Sequence, residues 1–175
     1  MKFLKSCYGQ ERINKKTISS PVDLFYNDQT RYKNLLSHRL ERELVAINRL
    51  KPKIAEIKSL PQLKAYLNIK GTDGLSEHNL KFIITKQRTL LLGEFRRTPM
   101  DYVTHAAIFN ALGYSDSEEI IAAGRISAAT NFRGNFEIFA NNESGHFKPG
   151  AEAVKHLNAL IKRWGGYGAV DENDR

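Results

Sequence analysis

The segment NNESGHFKPG, residues 141 to 150, gathers polar and reactive side chains between an apolar run of alternating character and a run of helical character. Asn142, Ser144, His146 and Lys148 supply donors and acceptors, while Gly145, Pro149 and Gly150 keep the backbone from continuing as a strand. A turn placed there leads directly into a helix N-terminus, where unpaired N–H groups and the positive end of the dipole favour an anion. Asn142, Ser144, Gly145 and Lys148 then line a phosphate-sized site. His146, with an unperturbed pKa of about 6.5, donates to a phosphate or ribose hydroxyl or moves a proton. The competing reading is a turn whose Ser and Asn cap the helix and whose His satisfies backbone carbonyls. So many polar groups in one turn weigh toward a site.

A second histidine, His105, stands in DYVTHAAIF, where strand alternation puts Val103, His105, Ala107 and Phe109 on one face. A lone imidazole among apolar neighbours is more often a hydrogen-bonded core residue than a catalyst. Paired with His146 it becomes a candidate acid or base. Gly124, inside the run EEIIAAGRISAAT, marks a bulge or the close approach of a backbone or ligand, and Arg125 follows it as a candidate anion contact. Arg133 reads as a turn charge, and His38, His78 and His156 as surface groups. No G-x-G-x-x-G or Walker loop, HExxH, G-x-S-x-G elbow or Cys/His metal spacing occurs, so no metal site is expected.

The elements that must position these residues follow from periodicity. Residues 1 to 30 lack a sustained period and read as an arm ending in the turn-like SSPVDLFYND. Leu35, Leu36, Leu40, Leu44, Ile47 and Leu50 predict an amphipathic helix from Tyr32 to about Lys58, kinked or ended near Pro52. A short helix over 62 to 67 and a loop punctuated by Gly71 and Gly74 come next. The runs 81 to 85 and 89 to 95 predict a hairpin, with further strands over 102 to 109, 119 to 127 and 135 to 141. In the last of these, Phe136, Ile138 and Ala140 share a face. Val154, Leu157, Ile161 and Trp164 predict a helix over 151 to 164, ended by Gly165 and Gly166, before a frayed DENDR tail at 171 to 175. The expected class is α+β: N-terminal helices, then a mostly antiparallel sheet with a C-terminal helix packed on it. The expected organisation is an arm, a basic helical segment (31 to 70) and an α+β catalytic domain (71 to 170).

With 175 residues and 41% apolar content the chain can bury a real core. No apolar run is long enough for a membrane helix, and MKFLKSCYGQ turns polar too early for a secretory signal, which reads as synthesis in a cytosol. The single Cys7 cannot form an internal disulfide. Residues 1 to 60 hold 13 Lys/Arg against 6 Asp/Glu, and the remainder 14 against 13. The basic front suits nucleic acid, an anionic membrane surface or an acidic protein, and equally a solvated helix face.

His105, Ala106, Ala107 and Phe109, then Ala122, Ala123 and Gly124, then Gly134, then Asn142, Ser144, Gly145, His146, Phe147 and Pro149 form an order of motifs covering about residues 80 to 167. This order resembles the toxin-like domain of plant IQ-motif calmodulin-binding proteins and the C-terminal domains of bacterial polymorphic toxins and secreted effectors. Ala106 and Ala107 stand where that pattern has serines, and Phe147 lacks the hydroxyl of its tyrosine. The arginine, Ser-x-Ser and Glu-x-Glu signature of arginine-class transferases is not matched.

The resemblance implies a bacterial toxin or effector made in the cytoplasm, exported by a specialised system without a cleaved signal peptide, and directed at a protein of a host or competitor cell. It also implies action on a nucleotide or phosphate-bearing substrate through ADP-ribosyl transfer or NAD cleavage, with NAD a substrate and no tightly bound cofactor. Two alternatives stand beside it. One is a basic ribonuclease with two histidines as acid and base. The other is a non-catalytic module that binds a partner protein.

Overall fold

The computed structural model describes residues 29–68, 80–130 and 136–174. The arm through residue 28, Cys7, the Gly71/Gly74 loop, His78, Arg133 and Gly134 lie outside them. Among the described residues the chain is α+β, with four helices and a six-stranded sheet in which β1 (Ile54–Ile57), β3 (Leu90–Glu94), β2 (Leu80–Thr85), β4 (Ile120–Thr130), β5 (Phe136–Asn141) and β6 (Val170–Asp171) lie side by side in that order. All neighbouring strands are antiparallel except β5 and β6.

The first helix, α1 (Leu40–Leu50), begins later than the expected Tyr32 and ends beside Pro52, the residue read as its kink or end. Lys51 adopts a left-handed conformation (φ 44°) and its N–H closes on the carbonyl of Ile47, after which Pro52 cannot continue the helix. The following β1 (Ile54–Ile57) is an edge strand on β3 (Leu90–Glu94). Ile54 and Ile57 are three apart, a spacing that fits a helix stripe as well as a strand. The basic stretch 31 to 70 is therefore not wholly helical, and part of it belongs to the sheet. Next come α2 (Leu60–Asn68) and β2 (Leu80–Thr85), which pairs with β3 as the expected hairpin.

The segment expected as a strand over 102 to 109 contains a helix, α3 (His105–Ala111). Thr104 is its N-cap: the residue is extended and its hydroxyl accepts from the N–H of Ala107 at 3.1 Å. Two turns are too few for a period of 3.6 to stand out from alternation. Then follow β4 (Ile120–Thr130), β5 (Phe136–Asn141), α4 (Glu152–Arg163) and β6 (Val170–Asp171). The expected frayed tail instead includes β6, laid parallel to β5, and a 3-10 turn over Glu172–Asp174.

The sheet buries both faces. On one, Phe82, Leu92 and Ile126 pack against Leu63 of α2 and Leu157 and Ile161 of α4. On the other, Ile83, Leu91 and Ala123 pack against Ile108 and Phe109 of α3 and against Phe147, which meets Phe109 edge to face. Burying each large apolar side chain contributes roughly 1.5–3 kcal/mol. Gly93 and Gly124 permit this closeness: a Cβ at Gly93 would run into Ile108, and one at Gly124 into the Asn141 carbonyl and the Phe82 ring. His156, expected at the surface, is buried on the inner side of α4.

Candidate functional site

Glu43 lies on the inward side of α1, in an otherwise apolar stripe, and its carboxylate is buried. A buried carboxylate must be hydrogen-bonded. One oxygen, Oε1, is 2.8 Å from Nε2 of His146, and the other accepts the Thr104 hydroxyl at 2.8 Å. An ionised carboxylate only accepts, so the network assigns the His146 proton to Nε2. Burial alone would raise the Glu43 pKa. The His146 hydrogen bond and charge, the Thr104 hydroxyl and the Arg39 charge outweigh that effect and hold it below its ordinary 4.5. Beside this carboxylate is a hollow of about 320 Å³ lined by Arg39, Arg42, Glu43, Met100, Asp101 and Tyr102.

His105, the first residue of α3, is 1% exposed. Its Nε2 donates to the Gly124 carbonyl at 2.8 Å, which leaves the Nδ1 lone pair buried without a partner among the described residues. Burial, then the charges of Lys81, His146 and Arg125, push its pKa well below the usual 6.5, although the Gly124 hydrogen bond acts the other way. The ring is neutral at pH 7. His146 is 5% exposed. The two imidazoles therefore belong to one buried polar cluster, linked through Thr104 and Glu43, and do not face the open cleft that their residue types suggested.

The cations lie next to them. Lys81 on β2 and Arg125 on β4 are direct cross-strand partners. Lys81 Nζ stands 4.9 Å from the centroid of the Phe95 ring and the Arg125 guanidinium 5.6 Å from the same centroid. Arg125 also pairs with Glu143 at 2.8 Å. Lys81 is 9% exposed. Burial first, then the Arg125 charge, depress its pKa from 10.5 to about 8, against a weaker opposite pull from Glu143 and Glu43.

The loop that drew attention in the sequence is occupied with its own structure. The Asn142 amide donates to the Pro149 carbonyl at 3.0 Å, the Ser144 hydroxyl accepts from Phe147 N–H at 3.4 Å, and Lys148 N–H bonds the Ser144 carbonyl at 3.0 Å. Gly145 and the side chain of Lys148 are exposed, and Lys148 takes a left-handed φ of 43°. Ahead of α4, the Gly150 N–H meets the Tyr32 hydroxyl at 3.1 Å and the Glu152 carboxylate at 3.2 Å. A carboxylate of the chain itself thus takes the amide that was expected to meet an anion. Asn142 and Ser144 shape the turn, and the turn in turn aims His146 at Glu43.

Of the residues picked from sequence, the fold brings His105, His146, Gly124 and Arg125 into one cluster and leaves Gly145 and Lys148 at its outside. Sequence reasoning missed Glu43, Thr104 and Lys81. Two of these had a signal: Glu43 falls three residues after Leu40 and four before Ile47, and Lys81 alternates in phase with Ile83. Among the described residues no group of three or more His, Cys, Asp or Glu is gathered as metal ligands. No helix there is long and apolar enough to cross a membrane. Neither a family model, nor a curated protein, nor a solved structure matches the chain.

Proposed function

We propose that this domain binds a phosphate-bearing ligand at the Lys81–Arg125 pair, as a toxin- or effector-type domain acting on a nucleotide or similar substrate. The observation that carries this reading is the placement of two cations directly opposite each other on adjacent strands, against one aromatic ring, with one of them almost buried. Like charges in that relation destabilise a sheet, and a buried lysine costs more still. An anion between them relieves both. Arg125 keeps donors beyond the one spent on Glu143, and guanidinium suits phosphate geometry.

His105 and His146 are positioning residues in this reading. His105 ties α3 to β4 through the Gly124 carbonyl, and His146 ties the loop to α1 through Glu43. That argues against a ribonuclease with both imidazoles at the scissile bond. A phosphate-binding module without catalysis is the second reading, favoured by the enclosure of both rings. Calorimetric titration with ADP, NAD and pyrophosphate tests the site: binding that weakens with salt and is lost in Arg125→Ala supports it, and no binding of any of the three sinks it. Incubation with NAD and, separately, with RNA then separates enzyme from module by whether product forms.

A further inference from the structure

Lysine is almost never buried without a partner. At Lys81 the neighbours are an aromatic face, the guanidinium opposite, and, more distantly, the carboxylates of Glu143 and Glu43, and no ion pair to Nζ occurs among the described residues. Exclusion of water and an adjacent cation both favour the uncharged amine, the two conditions under which lysine becomes a nucleophile toward carbonyls. Lys81 is also the strongest charged influence on the buried His105 ring, so a neutral Nζ suits its surroundings on that side as well.

We infer that Lys81 is a reactive amine that forms an imine with a phosphorylated aldehyde or ketone whose phosphate is held by Arg125. This rests on the anion-binding reading above. The neutral Nζ attacks the carbonyl carbon, a C–N bond forms, and the carbonyl oxygen departs as water carrying the two hydrogens that Nζ loses. Nothing is oxidised or reduced. By taking up one proton from solvent the imine becomes a cation against the Phe95 ring, which favours it as it favours the ammonium. At neutral pH, a pKa of about 8 in place of 10.5 leaves a far larger fraction of Lys81 than of an exposed lysine in the attacking form.

The test uses the full chain with pyridoxal 5′-phosphate near neutral pH, followed by borohydride and peptide mapping by mass spectrometry. Lys81 is expected to be labelled on the order of 100-fold faster than exposed lysines. Arg125→Ala should slow that labelling to the rate seen with unphosphorylated pyridoxal or below it, since it removes both the phosphate anchor and a charge that favours the neutral amine. Lys81→Arg, with its fold checked by circular dichroism, should remove the fast phase. Slow labelling of Lys81 in a protein that binds ADP overturns the amine and leaves the anion site standing. Equal labelling of Lys81 by pyridoxal and its phosphate upholds the amine and overturns Arg125 as anchor, and with it the anion-binding reading.

Discussion

The two faces of the sheet use the same strands to opposite ends. Under α2 and α4 the strands present Phe82, Leu92 and Ile126 to Leu63, Leu157 and Ile161, a surface of hydrocarbon. One residue out of phase, β2 presents Ile83 to the core beneath α3 and then Lys81, beside Arg125 on β4, with the Glu43–His146 pair and His105 among their polar neighbours. The difference teaches that the polar cluster is not a failure of core packing. The fold commands enough apolar side chains to seal a face, and it spends charge at one end of the other, where β2 begins and β3 and β5 finish.

Variants on each face can break or sharpen that contrast. The largest loss is expected from Glu43→Ala, which strands His146 and the Thr104 hydroxyl: about 3–5 kcal/mol by chemical denaturation. Glu43→Gln should recover part of it. Because folding lowers the Glu43 pKa, its contribution is complete above pH 4.5 and drains away as pH falls through the folded value, so the acid limb of a stability profile should flatten in Glu43→Gln. Next comes Leu157→Ala on the apolar face, with a loss of roughly 2–5 kcal/mol but unchanged ADP affinity. A change in affinity there would mean the two faces are coupled.

Lys81→Met should cost little at pH 7 or stabilise by about 1 kcal/mol, while abolishing anion binding. Its pH signature has the same sign as that of Glu43 but falls in an alkaline window. The folded lysine titrates at about 8 and the unfolded at 10.5, so between those values the unfolded chain binds more protons and stability rises with pH. That rise should vanish in the variant. Lys148→Ala, at the exposed side of the loop, should stay within about 0.5 kcal/mol and leave binding intact.

Much of the frame was legible from residue spacing. The hairpin, β4, β5 and α4 carry long alternating or helical patterns, and the α+β class follows from their order. Gly124 was correctly marked as a place of close approach, since the Asn141 carbonyl fills the space of a side chain. Short elements were not legible. DYVTHAAIF alternates like a strand but starts a two-turn helix, because the Thr104 cap outweighs alternation over so few residues. The helix end near Pro52 was legible from the proline, whereas the left-handed backbone of Lys51 that closes it was not. His156 looked like a surface group because charges neighbour it in sequence, whereas α4 turns it inward. The site itself was half legible. Histidine and serine in a glycine-rich turn drew attention to the loop, but what those groups bond is decided by Glu43 and Gly124, far away in the chain.

That remoteness has a temporal side. Glu43 holds Thr104 across 61 positions and His146 across 103. Closing so long a loop is entropically late work, so on a ribosome the carboxylate waits for its imidazole until the segment around residue 146 has emerged. A nascent chain that has not reached residue 146 carries the Glu43 carboxylate without the imidazole that meets it. The buried cluster is therefore assembled only once both ends of that span are present.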